Sequence, residues 1–318
     1  MTTISKKHIN KIIRDLSKER NDEIFMVSDN KEFSYCDLEN ISNNLVSILL
    51  SKGITSKSTV AIEVGEDSFF IISIIAIMKI GAKYFLLSPF NTDAYNRTLL
   101  NNNNIRNLIV NDFNKKEYNS LKYNLVAIGE CFMQPEKKTE YVKREINEII
   151  SLISEPTSLF SLRNKYISYD KLIDWINFNI NNLQIDFSSS LFIISHQTLM
   201  NFPIWMANIL TGGKIIITYK KEIEDIVSLI QKHNVKSLIC SLDDLNELTN
   251  KDLYKNTSYQ IINNVLTLGE GEYNFEDFKL FNKENGKKWY NYYGFPEIEI
   301  ISTIIDDNLE QGKKMHIG

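Results

Sequence analysis

The sequence predicts an α/β protein whose strands and helices alternate and build mostly parallel sheets in two layered subdomains. Two observations support this fold class. Short, continuous apolar runs are typical of strands that are covered on both faces. Between them lie longer stretches in which apolar residues recur at three-, four- and seven-residue spacing, as on one face of a helix. With 318 residues, 43% of them hydrophobic, the chain is long enough for one large domain or two modest ones.

The first half of the chain shows this alternation. A helix begins at Asp37 and ends at Gly53, because glycine readily takes the backbone conformation that closes a helix. A second, strongly apolar helix begins at Asp67 and is closed by Gly81. The other predicted elements are the strands Thr59–Val64, Lys83–Leu87, Asn107–Val110 and Leu125–Ile128 and the helix Thr92–Asn103. Apart from the strand at Leu125, the pattern is weak from residue 111 to residue 149.

The alternation then resumes. The predicted helices are Tyr169–Leu183, Met200–Leu210, Glu222–His233, Leu242–Thr249 and Phe275–Asn282. The predicted strands are Leu191–Ser195, Lys214–Thr218, Lys236–Cys240, Asn264–Leu268 and Trp289–Tyr292. Gly212 and Gly213 form a turn into one of these strands. No linker rich in Pro, Gly or Ser divides the chain, so we place a soft boundary between subdomains 1–150 and 151–318.

Composition excludes several classes of function. Thirty-six basic and forty acidic side chains give a formal net charge of −4, which indicates no nucleic-acid or anionic-membrane partner. The N-terminal segment has charged and apolar residues at helical spacing and no signal-peptide core, and the apolar stretch Phe69–Ile80 is too short to span a bilayer. Three scattered cysteines and four scattered histidines form no disulfide or zinc pattern. We therefore expect a cytoplasmic protein without a resident metal.

Four segments, taken in order, resemble motifs of one enzyme family. Met78–Pro89 (M-K-I-G-A-K-Y-F-L-L-S-P) is a specific, twelve-residue match to L-K-A-G-A-A-Y-V-P-L-D-P. Phe33–Leu38, Ile209–Ile217 and Asn291–Glu297 resemble T-Y-x-E-L, L-L-S-G-A-T-L-V-L and N-x-Y-G-P-T-E. On these residues the chain resembles the adenylation domains of nonribosomal peptide synthetases, members of the AMP-forming acyl-activating superfamily. The resemblance implies the fold of the N-terminal core of such domains.

The resemblance implies a two-step reaction, in which a carboxylate attacks the α-phosphate of ATP and a carrier-domain thiol then takes the acyl group. The family holds the phosphates with the loop T-S-G-[ST]-T-G-x-P-K-G. Counting back from Lys165–Leu172 places this loop on Glu155–Asn164, with Arg163 at the lysine position and a carboxylate, Glu155, at the start. The three glycine positions carry Thr157, Phe160 and Asn164. Because glycine lets the backbone approach phosphate closely, we expect this loop not to function.

Other family positions are altered as well. Leu199 takes the place of the Asp that holds the amino group of an amino-acid substrate, and Phe202 and Trp205 would add to a more apolar pocket. Glu297 lies at the position of a Mg²⁺ ligand. With Arg163, the candidates for vestigial nucleotide binding are Gly269, Asn291, Tyr293 and Gly294. We expect no catalytic residue and no cofactor, and ATP and Mg²⁺ enter only if the chain is part of an active enzyme.

The last residues resemble a segment that lies inside the family's architecture. Gly312–Gly318 is similar to G-x-V-P-I-G-x-P. In the family, the Asp that binds the ribose, the hinge and the C-terminal subdomain with its catalytic lysine come after this segment. We therefore expect a truncated, degenerate adenylation domain.

Three functions remain open on these grounds. The first is a non-catalytic, pseudo-adenylation module with a structural, scaffold or interaction role in nonribosomal peptide biosynthesis, partnered by peptide-synthetase domains or a carrier protein. The second is a split acyl- or aminoacyl-adenylating enzyme that a separate C-terminal subdomain completes. The third is a protein that binds a hydrophobic acyl ligand without activating it.

Overall fold

The structure is a computed structural model, and it describes most of the chain. The described residues are 9–28, 31–63, 67–87, 91–112, 115, 118, 122–132, 142, 148–158, 161–181, 185–193, 201–220, 222–250, 253, 257–268, 288–293 and 301–304.

Eight helices and fourteen strands are present within these residues. The helices are α1 (Ile9–Glu19), α2 (Tyr35–Ser51), α3 (Asp67–Lys79), α4 (Asp93–Asn102), α5 (Tyr169–Asn181), α6 (Asn201–Leu210), α7 (Ile223–His233) and α8 (Leu242–Asn250). The first eight strands are β1 (Ile24–Ser28), β2 (Lys31–Ser34), β3 (Thr59–Glu63), β4 (Lys83–Leu86), β5 (Asn107–Val110), β6 (Asn124–Ala127), β7 (Ile149–Ser158) and β8 (Ser161–Ser168). The others are β9 (Ser189–Ile193), β10 (Lys214–Thr218), β11 (Ser237–Ser241), β12 (Asn264–Leu268), β13 (Lys288–Tyr293) and β14 (Ile301–Ile304).

The chain divides into two compact units. The first comprises Ile4–Ile24 and Glu32–Asp174, and the second comprises Met1–Thr3, Phe25–Lys31 and Trp175–Gly318. The division after Asp174 falls within α5, whereas the sequence placed a soft boundary near residue 150. The β7–β8 pair explains the difference, because β7 continues the sheet of the first unit by pairing with β4.

The first unit is built on a six-stranded sheet with the strand order β6-β5-β3-β4-β7-β8. Its strands are parallel except for the antiparallel pair β7–β8. One buried apolar cluster combines strand residues with residues of α4 and of the segment before β6. Its members include Ala61, Phe85, Leu99, Leu100, Leu108, Tyr118, Tyr123 and Leu125. The continuous apolar strands are therefore covered as the sequence predicts.

The second unit contains most of an eight-stranded sheet with the order β14-β13-β12-β11-β9-β10-β1-β2. The strands from β1 to β13 along this order are parallel, and β14 is antiparallel to β13. A polar network ties the amino ends of its central strands together. Asn264 Oδ1 accepts a hydrogen bond from the Asp186 N–H (3.0 Å), and Ser237 Oγ donates to the Asp186 carbonyl (2.7 Å). The predicted α/β class with mostly parallel sheets is confirmed.

The helix ends that glycine predicted are present. Gly81 has a φ of +80° and follows α3. Its N–H donates to the Met78 carbonyl (3.2 Å), and the Ala82 N–H donates to the Ile77 carbonyl (3.1 Å), which is the paired pattern of a Schellman motif. The predicted turn at Gly212–Gly213 is also present. A Cβ on Gly213 would lie 1.9 Å from the Phe187 carbonyl oxygen, so only glycine fits there.

Several elements were not predicted from the sequence. They are β1, β2, β14 and the β7–β8 pair. The phosphate loop that the sequence predicts at Glu155–Asn164 falls in the segment that forms β7 and β8. The predicted helix Phe275–Asn282 lies outside the described residues. None of the helices that the structure describes combines the length and the apolar character that crossing a membrane requires.

Candidate functional site

The carboxyl edge of the eight-stranded sheet is the candidate functional site. The chain passes from β9 to β10 on one side and from β10 to β11 on the other side of β9. Strand order therefore reverses between β9 and β11, and α/β proteins of this type bind ligands outside the carboxyl ends of the strands at such a point. The strands that end at this edge include β9 at Ile193, β11 at Ser241, β12 at Leu268 and β13 at Tyr293.

Two predicted nucleotide-binding residues lie on β13 at this edge. Asn291 is paired in register with Thr267 of β12, and Tyr293 is the last residue of the strand. Gly269, Gly294 and Glu297, the last at the position of a Mg²⁺ ligand, lie outside the described residues. The topology thus brings Asn291 and Tyr293 to the edge where ligands bind in this fold, and their role in nucleotide binding stays a prediction.

The predicted substrate-binding residues Phe202 and Trp205 lie on α6. Phe202 is 3% exposed and Trp205 is 1% exposed. The Trp205 ring meets the Phe192 ring of β9 edge to face, with centroids 6.0 Å apart. Both side chains thus lie in the interior of the second unit, and the Trp205 ring packs close to the carboxyl end of β9. Leu199 lies outside the described residues, so an apolar pocket that includes it stays a prediction.

The counterpart of the phosphate loop forms two strands. Eight of its ten positions belong to β7 and β8, as residues 155–158 and 161–164. Ser158 pairs with Ser161, so only residues 159–160, including Phe160, separate the two strands, and these two lie outside the described residues. Arg163 is placed opposite Glu155 in the ladder. The backbone N–H groups of this segment therefore belong to a β-ladder, rather than to a loop that can surround an anion.

A cap at the start of α8 is a feature of the edge that sequence reasoning missed. Ser241, the last residue of β11, accepts a hydrogen bond from the Asp244 N–H (3.0 Å) and donates to Asp244 Oδ2 (2.6 Å). Asp243 also lies in the first turn. These two carboxylates interact favourably with the positive end of the helix and oppose a second anion there. The spacing S-x-x-D, Ser241 to Asp244, is the signal from which the cap could have been predicted.

Two other titratable groups of this edge, on β11 and β13, are buried. Burial raises the pKa of the Cys240 thiol well above its ordinary value, with a further upward contribution from the charge of Asp244. Burial also raises the pKa of the Tyr290 hydroxyl. Within the described ranges, no group of three or more His, Cys, Asp or Glu side chains is arranged to hold a metal ion. In the described part of the edge, the Cys240 thiol and the Tyr290 hydroxyl therefore stay protonated at neutral pH, and no set of metal ligands is found.

The strand order and this edge define the class of open, doubly wound α/β proteins, which bind ligands at the carboxyl ends of their strands. Sequence comparison then shows which proteins the chain is similar to. Residues 13–154, a little under half of the chain, match the family of AMP-binding enzymes. Gramicidin S synthase 2 of Brevibacillus brevis is 19% identical over 95% of this chain. N-(5-amino-5-carboxypentanoyl)-L-cysteinyl-D-valine synthase of Penicillium rubens is 28% identical over 34% of this chain. The resemblance to adenylation domains of nonribosomal peptide synthetases is confirmed.

The chain spans only a small part of these relatives, 7% of the length of the first and 3% of the second. Solved structures support the same fold. The Klebsiella oxytoca NpsA N-terminal subdomain in complex with 3-hydroxybenzoyl-AMSN superposes with a TM-score of 0.79, at 17% identity, over 95% of this chain and 76% of that chain. The o-succinylbenzoate CoA synthetase of Bacillus subtilis, in complex with OSB-AMP, has a TM-score of 0.78 at 14% identity and covers 92% and 60%. The chain has the fold of adenylation N-terminal subdomains.

Proposed function

We propose that this chain is a pseudo-adenylation module that does not activate a carboxylic acid by itself and that has a structural, scaffold or interaction role in nonribosomal peptide biosynthesis. The fold and the family match support the adenylation-like part of this proposal. A carrier protein or other synthetase domains are the partners we propose, since an adenylation domain of the same fold, NpsA, has been fused to a carrier domain in NpsA-ThdA.

The altered phosphate loop is the observation that carries the proposal. Three glycines of the family's motif are replaced by Thr157, Phe160 and Asn164, and eight of the ten positions lie in the strands β7 and β8. A loop that surrounds phosphate needs successive backbone N–H groups directed at the oxygens, and glycine supplies the required freedom. Strand residues direct their N–H groups along the sheet instead. Glu155 adds a negative charge to the segment, which disfavours phosphate.

Calorimetric titration with MgATP tests this proposal. We expect no measurable heat of binding up to millimolar MgATP for the native chain. A matched variant restores the family's glycines through Thr157→Gly, Phe160→Gly and Asn164→Gly. Binding by this variant alone would show that the altered loop is what prevents nucleotide binding. Tight MgATP binding by the native chain would contradict the proposal.

A split adenylating enzyme is a second candidate, and one observation favours it. The solved structures that the chain resembles include an adenylation N-terminal subdomain in complex with an acyl-AMSN compound. A protein with this fold can therefore hold an acyl-AMSN ligand on its N-terminal subdomain. If the present chain does the same, 3-hydroxybenzoyl-AMSN should raise its melting temperature. A pseudo-adenylation module with an altered phosphate loop should show no such shift, so the same measurement separates the two candidates.

A further inference from the structure

Basic side chains gather at the amino edge of the six-stranded sheet of the first unit. The strands β3, β4, β5 and β6 are parallel, so they all begin at this edge. Lys57 lies in the turn before β3, Lys83 is the first residue of β4, and Arg106 and Lys122 come shortly before β5 and β6. Lys52 follows α2, and its Nζ donates to a carbonyl of β6 (2.8 Å). We call Lys52, Lys57, Lys83, Arg106 and Lys122 the basic row.

The basic row has no acidic partner among the described residues. Four of its members are exposed and Lys83 is half-buried. No ion pair joins any of them to a described carboxylate. Two described acids at this edge, Glu148 before β7 and Asp170 after β8, lie at the other end of the strand order. Other cations of the described chain do form ion pairs, namely Arg20 with Glu23, Lys115 with Glu130 and Lys220 with Asp225.

Helix ends at the same edge offset only part of this charge. The helices α2, α3 and α4 lead directly into β3, β4 and β5, so their C-terminal ends also lie at the amino edge. Each C-terminal end carries about half a negative charge, which leaves a surplus of about 3.5 positive charges in the basic row. Like charges side by side repel each other until a partner of opposite charge neutralises them.

Two members of the basic row are held in place by a buried ring. The Arg106 guanidinium carbon lies 5.8 Å from the centroid of the Tyr123 ring, and Lys122 Nζ lies 5.4 Å from it. Arg106 Nη1 also donates to Asn101 Oδ1 (3.3 Å). The Tyr123 ring packs edge to face on Tyr118, with centroids 5.6 Å apart. Because these contacts orient the two cations beforehand, a partner that binds them loses less conformational entropy.

The spacing of the basic row fits a helix. Neighbouring strands lie about 4.8 Å apart, so the four strands from β6 to β4 spread the row over about 15 Å. Acidic residues three or four positions apart on one face of a helix are separated by about 4.5–6 Å along its axis, and three turns cover about 16 Å. A nucleic acid is disfavoured, because the net charge of −4 repels a long polyanion.

We propose that the basic row is a docking surface for an acidic helix of a partner protein. The proposal rests on the interaction role proposed above and names the surface through which the chain meets its partner. The basic row contains no residue of the segment Glu155–Asn164, so it does not depend on whether that segment binds phosphate. Titration with MgATP and the binding test below can therefore fail independently of each other.

Fluorescence anisotropy with a labelled, alanine-rich helical peptide tests this surface. The peptide carries glutamates at three- and four-residue spacing along one face, and a scrambled peptide of the same composition distributes them around the helix. We expect the native chain to bind the first peptide more tightly, with an affinity that falls as salt is added. Arg106→Gln combined with Lys122→Gln should weaken binding about fivefold. The matched control is Lys115→Gln with Lys220→Gln, which changes the net charge equally and should leave the affinity nearly unchanged.

Carbodiimide coupling of the same peptide to the native chain locates the site without any substitution, and so keeps the test valid if a variant fails to fold. Amide bonds should form at Lys57, Lys83 or Lys122 in preference to Lys115 or Lys220. Coupling confined to lysines outside the basic row would overturn the proposal. Equal affinities for the two peptides, equal losses in the two double variants, or tighter binding of a DNA oligonucleotide of the same charge would each overturn it as well.

Discussion

Lys79 shows how single residues of this chain combine burial with charge. It is 1% exposed, and its Nζ donates to Glu39 Oε2 (2.7 Å), Ser42 Oγ (2.8 Å) and Asn43 Oδ1 (2.8 Å). Every proton of the ammonium group therefore has an acceptor. Lys79 is part of the segment Met78–Pro89 that carries the strongest family resemblance, and its place in that segment predicts a helix but not its partners. Packing of α3 against α2 determines which side chains pair with Lys79, and no local spacing in the sequence encodes such contacts.

Lys79→Met should destabilise the first unit strongly. The substitution leaves the Glu39 carboxylate in a largely buried place without its ammonium partner, and breaking a buried ion pair in this way typically costs about 3–5 kcal/mol. Urea unfolding measures the loss. The control is Lys115→Met, which breaks an exposed pair with Glu130 and should cost less than about 1 kcal/mol. Equal losses in the free energy of unfolding for the two variants would contradict the claim that burial makes the Lys79–Glu39 pair the more important one.

The same lysine predicts a dependence of stability on pH. Burial lowers the pKa of Lys79 from 10.5 to about 8, against the opposing effect of Glu39. Between these values the unfolded chain binds more protons at this site than the folded chain, so this lysine makes the free energy of unfolding rise with pH. Urea unfolding from pH 7.5 to 10.5 should show this rise in the difference between the native chain and Lys79→Met. If the difference in the free energy of unfolding between the two proteins stays constant or falls over this pH range, the lowered pKa of Lys79 is contradicted.

Replacing Gly81 by alanine should lower the free energy of unfolding for two reasons, the positive φ at this position and the close packing around it. Gly81→Ala forces alanine into a φ of +80° and places its Cβ 3.1 Å from Ser56 Cβ and 3.2 Å from Val142 Cγ1. Gly53→Ala meets a similar φ of +75° with no atom within 4 Å. Urea unfolding should therefore show a loss of about 1 kcal/mol for Gly53→Ala, from conformation alone, and a larger loss for Gly81→Ala. The reverse order would show that the neighbours of Gly81 move at no cost.

Among the elements, those with a clear apolar period were the ones that could be predicted. The predicted helix from Asp67 is α3, and the predicted strand Asn107–Val110 is β5 with the same bounds. The strands β7 and β8 contain Glu155, Pro156 and Arg163 and have no regular alternation. They are strands because β7 pairs with β4 and β8 pairs with β7, which are contacts between distant parts of the sequence. Local pattern cannot predict such pairs.

The candidate site shows the same limit. Sequence motifs indicated which residues would meet, and topology places Asn291 and Tyr293 at the expected edge. The cap formed by Ser241 and Asp244 was missed, although its spacing was readable. The buried polar contacts of Glu63 could not have been predicted, because the residues that form them come from β3, α4 and the segment before β6. Sequence patterns indicate the elements, whereas side chains from separate elements meet only through the fold.

Ser241→Ala tests the cap at the element scale. The hydroxyl of Ser241 satisfies the Asp244 N–H at the start of α8, so its loss should reduce stability by about 1 kcal/mol. Ser34→Ala removes the equivalent hydroxyl at the start of α2, where Asp37 completes a capping box, and should have a similar effect. Ser241→Asp keeps an acceptor and should recover most of the stability. Urea unfolding measures all three variants, and an unchanged midpoint for Ser241→Ala would contradict the cap.

At the scale of the whole molecule, two α/β units keep the architecture of an adenylation N-terminal subdomain, while one functional segment departs from it. The sheets, their order and the helix ends agree with the family resemblance. The segment that should surround phosphate is divided between β7 and β8. Packing of a core depends on apolar residues throughout the chain, whereas phosphate binding depends on a few glycines. Loss of those glycines would therefore remove phosphate binding and leave the fold intact, as the proposed function requires.

The ATP–pyrophosphate exchange reaction tests this claim most directly. The purified chain is incubated with MgATP, labelled pyrophosphate and a panel of carboxylic acids that includes amino acids and hydroxybenzoates, with an active adenylation domain as the positive control. We predict no exchange above the background without acid for any member of the panel. Robust exchange by this chain alone, with any carboxylic acid, would contradict the assignment of a pseudo-adenylation module.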